Sequence, residues 1–90
     1  MEQNLCPVDV ISVCSASGEL KPLRLRMPDE RQEFFRMDVE EILSTREIPY
    51  IGVESTVFLC SAKAWNRRWI IELKYSMRDH TWYLLRKMHG

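Results

Sequence analysis

The stretch Trp69-Ile70-Ile71-Glu72-Leu73-Lys74-Tyr75 decides the fold of this chain. Its apolar positions lie two residues apart, at Trp69, Ile71, Leu73 and Tyr75. Ile70 alone breaks the alternation with charged residues. Because successive side chains of a strand point to opposite faces, this spacing predicts a β-strand with one buried face. The β-branched and aromatic residue types favour the same structure.

The same alternation recurs on both sides of this stretch. Together with the polar turns between them, the apolar runs predict strands over residues 8–16, 21–27, 33–39, 56–64, 68–76 and 81–87. Short strands at regular spacing are typical of an antiparallel barrel or sandwich, and a sandwich usually takes about 100 residues. We therefore predict one all-β, mainly antiparallel domain over residues 1–90, as a small, partly open barrel or a strongly bent sheet of roughly five to six strands. The last two strands should form a hairpin through Ser76 to His80, with five residues largely buried: Trp69, Ile71, Leu73, Trp82 and Leu84.

Residues 38–46 also fit a short helix. Asp38 and Glu41 have the spacing of a capping box. The residues that would share one helical face are Val39, Ile42 and Leu43. Two alternatives remain open: a strand to about Val39 followed by extended chain, or one short helix near 39–46.

The charge of the chain is balanced overall but divided along its length. Thirteen basic residues match thirteen acidic residues, and the pI is about 6.7. Residues 1–60 carry six Lys or Arg and eleven Asp or Glu, a net charge of −5, and residues 61–90 carry a net charge of +5. Either acidic strands pair with basic ones inside the domain, or the two halves form a surface for a partner.

Three cysteines and the amino-terminal segment bear on the compartment. Cys6, Cys14 and Cys60 are odd in number and lack C-x-x-C spacing, which predicts free thiols in a reducing, cytoplasmic setting. Cys14 and Cys60 lie in apolar runs and should be buried, whereas Cys6 is the expected exposed thiol. Residues 1–6 should be loosely ordered. No signal peptide is predicted, and the apolar runs are far shorter than the ~20 residues that span a bilayer, so no membrane association is expected.

Several chemistries are not predicted. The candidate metal ligands lack close spacing, and the glycines are isolated, so neither a zinc site nor a phosphate-binding loop is expected. Glu40 and Glu41 are adjacent, and adjacent side chains of a strand point to opposite faces, which does not suit paired acid–base chemistry. We therefore expect no enzymatic activity, no cofactor and no metal.

The carboxy-terminal third mixes cations with aromatic residues. The candidate binding residues are Lys63, Trp65, Arg67, Arg68, Arg86 and Lys87. Sites for single-stranded nucleic acid combine a basic groove with aromatic side chains that stack on bases. Trp65 is the best stacking candidate because it adjoins Asn66 at an expected turn, whereas Trp69 and Trp82 occupy core positions. The neutral charge of the whole chain weighs against this interpretation.

A protein partner is the leading expectation. Acidic residues form a second candidate surface that could meet the basic surface of another copy: Asp38, Glu40, Glu41 and Glu47. Exposed edge strands can also add to the sheet of a partner. The chain is therefore predicted to be a small non-enzymatic binding module for protein interaction or self-association. The alternative is single-stranded nucleic-acid binding through residues 63–87.

The order of features also resembles a known group of proteins. Pro22-Leu23-Arg24-Leu25, Phe58-Leu59-Cys60 and a closing Trp82-Tyr83-Leu84 follow one another along the chain. This arrangement resembles small uncharacterised bacterial all-β proteins of the small-barrel type. The resemblance implies a small barrel and brings no catalytic residue with it.

Overall fold

Six antiparallel strands form a closed barrel in the computed structural model, which describes residues 6–50 and 53–89. The strands are β1 (Cys6–Cys14), β2 (Leu20–Pro28), β3 (Phe34–Tyr50), β4 (Val53–Ala64), β5 (Arg67–Ser76) and β6 (Thr81–His89). Each strand pairs with its neighbours in chain order, and β1 pairs with β6. The predicted all-β antiparallel barrel is thus confirmed. The ring of strands is closed, because β1 pairs with β6, so the structure is a closed barrel where a partly open barrel or a bent sheet was expected. Strands β2 and β3 nevertheless separate over part of their length.

The short helix considered near 39–46 is wrong. Strand β3 runs without interruption for 17 residues. Its register against β4 shifts between Val39 and Glu41 and again between Ile42 and Ser44. Each shift inserts one extra residue into the strand. Val39 and Ile42 therefore both reach the core side although they lie three residues apart, which is the spacing of a helical face.

The core fills the barrel with side chains from all six strands. Its buried apolar members include Leu25, Met37, Phe58, Cys60, Ile71 and Leu73. The five residues predicted to be buried are buried: Trp69, Ile71, Leu73, Trp82 and Leu84. The predicted hairpin of the last two strands is also confirmed, with Ser76↔Thr81 as its final pair.

The cysteines depart from expectation at two positions. Cys60 is buried as predicted, but Cys14 is exposed and Cys6 is half-buried as the first residue of β1. Cys14 is exposed because β6 covers β1 only as far as Val8, so the distal part of β1 has a neighbour on one side alone. The expectation of loose order at residues 1–6 falls mostly on residues 1–5, which lie outside the described residues.

Candidate binding surfaces

Antiparallel strands joined in chain order place their connections alternately at the two ends of the barrel. The β2–β3 and β4–β5 connections therefore share one end with the last residues of β6. We call this the aromatic end, defined by Phe35, Trp65, Trp69, Lys87 and His89. The β1–β2 and β5–β6 connections lie at the opposite end, near a cavity between β2 and β3. We call that cavity the β2–β3 cleft.

Trp65 occupies a two-residue hairpin turn, as the sequence predicted. Trp65 and Asn66 have φ values of 53° and 58°, so both adopt the left-handed conformation of a type I′ turn. Asn is favoured in this conformation, but a bulky aromatic residue is an outlier there. Trp65 is nevertheless 58% exposed. A costly backbone conformation thus presents a large aromatic surface to solvent.

The ring of Trp65 belongs to a stacked aromatic group. Its centroid lies 4.2 Å from that of Phe35, with an interplanar angle of 33°. Trp69 meets Trp65 edge-on at 6.3 Å, and His89 stacks on Trp69 at 4.5 Å. The Nζ of Lys87 lies 5.5 Å from the Phe35 centroid and 5.1 Å from the Trp69 centroid. A cation is thereby held beside the rings by cation–π attraction.

The predicted cations do not all reach this surface. Arg67 pairs in register with the buried Ala64, so it lies on the core-facing side of the ladder at the mouth of the barrel. Arg68, one residue on, lies on the outer face and forms an ion pair with Glu40 at 3.4 Å. Lys63 is the register partner of Arg68 and shares that outer face.

Arg86 is also directed away from the aromatic end. Its Nε donates a 3.0 Å hydrogen bond to Glu72 on β5. Glu72 also forms an ion pair with Arg46 at 3.5 Å, and its own side chain is only 13% exposed. Of the six candidate residues, the structure thus brings Trp65, Arg67 and Lys87 to one end, and leaves Lys63, Arg68 and Arg86 on the outside of the barrel.

A groove beside Trp65 adds residues that the sequence analysis missed. It measures about 520 Å³ and is lined in part by Phe35, Arg31 and Lys87. Asp29 also borders it, but its carboxylate accepts the backbone N–H groups of Arg31 and Glu33 at 2.8 and 3.0 Å. This acceptor role fixes the β2–β3 turn. Arg31 and Phe35 were missed because they are distant in sequence from Trp65, and only the pairing of β3 with β4 brings them near it.

The β2–β3 cleft exists because two neighbouring strands separate. Their register runs only from Pro28↔Phe34 to Arg24↔Asp38. Beyond that pair, β2 continues to Leu20 while β3 continues to Tyr50, and within residues 6–50 and 53–89 neither edge has a partner there. The cavity between them measures about 930 Å³ and reaches the core at Phe58. Two strand edges with unpaired backbone groups therefore face one cavity.

Acidic side chains dominate the charge of the cleft. Its charged lining residues are Glu19, Lys21, Glu40, Glu41 and Glu47. Glu41 is the register partner of Ser61 and Glu40 reaches Arg68, so both lie on the outer side of β3 at the rim of the cleft, and the expectation that they point to opposite faces is wrong. The register shift between Val39 and Glu41 is the reason, because a bulge re-aims the side chains around it. Three members of the acidic group predicted from sequence thus meet at this cleft.

The divided charge of the chain is only partly paired within the domain. Arg68 to Glu40 and Arg46 to Glu72 connect the acidic and basic parts of the sequence. Each of the other ion pairs among the described residues joins two residues of the same part, either 1–60 or 61–90. An example is the pair of Arg26 and Asp9 at 2.6 Å. Such exposed pairs contribute little stability, commonly less than about 1 kcal/mol. Glu41 and Glu47 form no ion pair with any described residue.

Ionisable groups elsewhere are explained by their surroundings. Burial raises the pKa of the Cys60 thiol to about 11, so it stays protonated in the core. In the β5–β6 turn, the pKa of Asp79 is lowered, chiefly by a hydrogen bond from the Ser76 side chain. Tyr75 and His80 share a 2.9 Å hydrogen bond at the same turn. Among the described residues, no group of His, Cys, Asp or Glu is placed to hold a metal ion. The same part of the chain contains no helix long and apolar enough to span a membrane.

No family model, curated protein or solved structure matches this chain. The resemblance to small bacterial barrel proteins therefore stays a prediction.

Proposed function

We propose that this chain is a non-enzymatic protein-interaction module that binds an extended segment of a partner protein in the β2–β3 cleft. The observation that carries the proposal is the separation of β2 from β3 beyond Arg24↔Asp38. Unpaired N–H and C=O groups on a strand edge are a template for another strand. The continuous part of the β3 edge, after its second bulge, runs from Ser44 to Ile48.

The charge of the cleft selects the partner. Four glutamates and one lysine border it. Glu40 is paired with Arg68 and Glu19 with Lys21, which leaves Glu41 and Glu47 as the carboxylates without an ion pair among the described residues. A segment with basic side chains would therefore be attracted, and an acidic one repelled. Apolar side chains at alternate positions would enter the cavity toward Ile42 and Phe58, because one face of an added strand points inward. The proposed occupant is an extended partner segment in which basic and apolar residues alternate.

A defined peptide tests this proposal. A synthetic peptide of about eight residues in which Lys and Val alternate would span the β3 edge. We expect it to bind in fluorescence anisotropy at low salt, and a peptide alternating Glu and Val to fail. The double variant Glu41→Lys, Glu47→Lys should weaken binding at least tenfold, which corresponds to about 1.4 kcal/mol. Glu30→Lys with Glu33→Lys changes the net charge equally at the opposite end and should leave binding within about twofold.

Backbone pairing is tested separately from charge. N-methylation of alternate residues in the Lys–Val peptide removes N–H donors while keeping every charge. Loss of binding is expected, because an unpaired acceptor on the strand edge is costly. Equal binding of the methylated peptide, or equal weakening by the two double variants, would contradict strand addition. Light scattering across a salt series would show whether a second copy of the chain occupies the cleft instead.

A further inference from the structure

A second binding surface lies at the aromatic end, about one strand length from the cleft. Trp65 keeps a positive φ of 53° at a turn position where Asn or Gly would be relaxed. Residues held in sparsely populated conformations cluster at functional sites. The indole is also exposed, so core packing alone does not account for a tryptophan at this position. The strain and the exposure together indicate a residue whose ring is used.

The neighbours of Trp65 determine what it can hold. Phe35 supports one side of the ring at 4.2 Å, which fixes the orientation of a flat stacking surface. The Nζ of Lys87 lies 5.5 Å from the Phe35 ring, and Arg31 and Lys87 line the adjoining groove. Arg67 follows the same turn and is exposed. A planar aromatic surface thus stands beside cations that can meet an anion.

We propose that the aromatic end binds an unpaired nucleobase on Trp65, with the attached phosphate held by Lys87 and Arg67. Stacking of a base on an aromatic side chain tolerates every base, because each base presents a π-face. Two acidic residues, Asp29 and Glu30, also line the groove. The Asp29 carboxylate is engaged by the turn backbone, which leaves Glu30 as the acidic side chain that a phosphate must avoid.

Fluorescence anisotropy with a labelled oligodeoxythymidine of about ten nucleotides tests this inference. The intact protein should bind at about 50 mM salt and release the strand as salt rises. Trp65→Asn suits the turn conformation, so it should fold and still weaken binding about 5- to 150-fold. Arg67→Ala and Lys87→Ala should each lower the salt slope by about 0.7 if each contacts one phosphate.

Two matched variants provide the control. Arg68→Ala and Arg86→Ala remove the same charge from the outer face, where Glu40 and Glu72 hold these side chains. They should change the affinity by no more than about twofold. If unlabelled adenosine monophosphate displaces the labelled strand with the same affinity as the unlabelled strand does, the ligand is a free nucleotide. If only the unlabelled strand displaces it, the ligand is single-stranded nucleic acid. The inference is overturned if the intact protein binds neither probe, or if Arg68→Ala and Arg86→Ala weaken binding as much as Arg67→Ala and Lys87→Ala.

Discussion

The β4–β5 hairpin and the β2–β3 pair are both antiparallel neighbours in one barrel, yet one stays paired and the other opens. Strands β4 and β5 pair without a shift through ten residue pairs, from Ser55↔Ser76 to Ala64↔Arg67. Strands β2 and β3 pair through five residue pairs and then separate beyond Arg24↔Asp38.

The backbone at the point of separation explains the difference. The inner side stays apolar in both pairs, since Pro22 on β2 is buried and Val39 and Ile42 on β3 pack against the core. Strand β3 has two register shifts just after Asp38. A bulge bends its strand and increases its twist, so β3 diverges from β2 at this point, whereas β4 and β5 pair without a shift.

The largest predicted effect concerns the closed part of the barrel. Trp69→Ala should reduce the free energy of unfolding by about 3–5 kcal/mol, because the buried ring leaves a cavity in the core. Leu20→Ala removes a half-buried side chain from the wall of the cleft and should cost less than about 1.5 kcal/mol. Urea denaturation followed by tryptophan fluorescence or circular dichroism measures both. Equal losses for the two variants would mean that the cleft is as tightly packed as the β4–β5 hairpin.

An intermediate effect distinguishes the buried thiol of β4 from the exposed thiol of β1. Because burial raises the pKa of Cys60 from 9.0 to about 11, the folded state binds more protons than the unfolded chain between these values. The stability is therefore fully present below pH 9.0 and decreases by about 2–3 kcal/mol as the pH rises through about 11. Cys60→Val removes the titrating thiol and should flatten that part of the stability profile, whereas Cys14→Val should leave it unchanged. A profile identical for Cys60→Val and the parent protein would contradict the assignment.

The smallest predicted effect concerns the turn of the β4–β5 hairpin. Trp65→Asn relieves a strained backbone conformation but loses the stack on Phe35, and each contribution is about 1 kcal/mol. The free energy of unfolding should therefore change by less than about 1 kcal/mol. Calorimetry measures the free energy of unfolding of this variant and of Trp65→Ala. Trp65→Ala loses the same stack but does not gain a residue suited to the turn. A loss of about 3 kcal/mol for Trp65→Asn would instead assign the indole a core role.

Alternation in the sequence was sufficient to predict the all-β fold, because it records which side of each strand is buried. It failed where the register changes. The bulges in β3 change the spacing of inward residues from two to three between Val39 and Ile42, and this imitates a helical face. The same failure placed Glu40 and Glu41 on opposite faces. No local sequence signal marks these bulges, since the pairing with β4 sets them.

The binding surfaces were predicted only where they are local. The turn was predicted from two adjacent residues, Trp65 and Asn66. The cations close to it in sequence were also predicted. Which cations share a face with Trp65 depends on cross-strand register, and Arg68 and Arg86 are engaged by carboxylates on β3 and β5. The β2–β3 cleft is a property of two strands that stop pairing, which alternation within each strand does not reveal.

The closure of the barrel has a consequence for the order of folding. Strand β1 meets β6 through three residue pairs, from Cys6↔Leu84 to Val8↔Trp82, and the paired residues are more than seventy positions apart in the chain. Each doubling of a closed loop costs about 0.6 kcal/mol of chain entropy, whereas the β4–β5 hairpin closes over a two-residue turn. The hairpins should therefore form early and the β1–β6 contact last. Amide hydrogens of β1 should exchange with solvent through partial opening, without global unfolding.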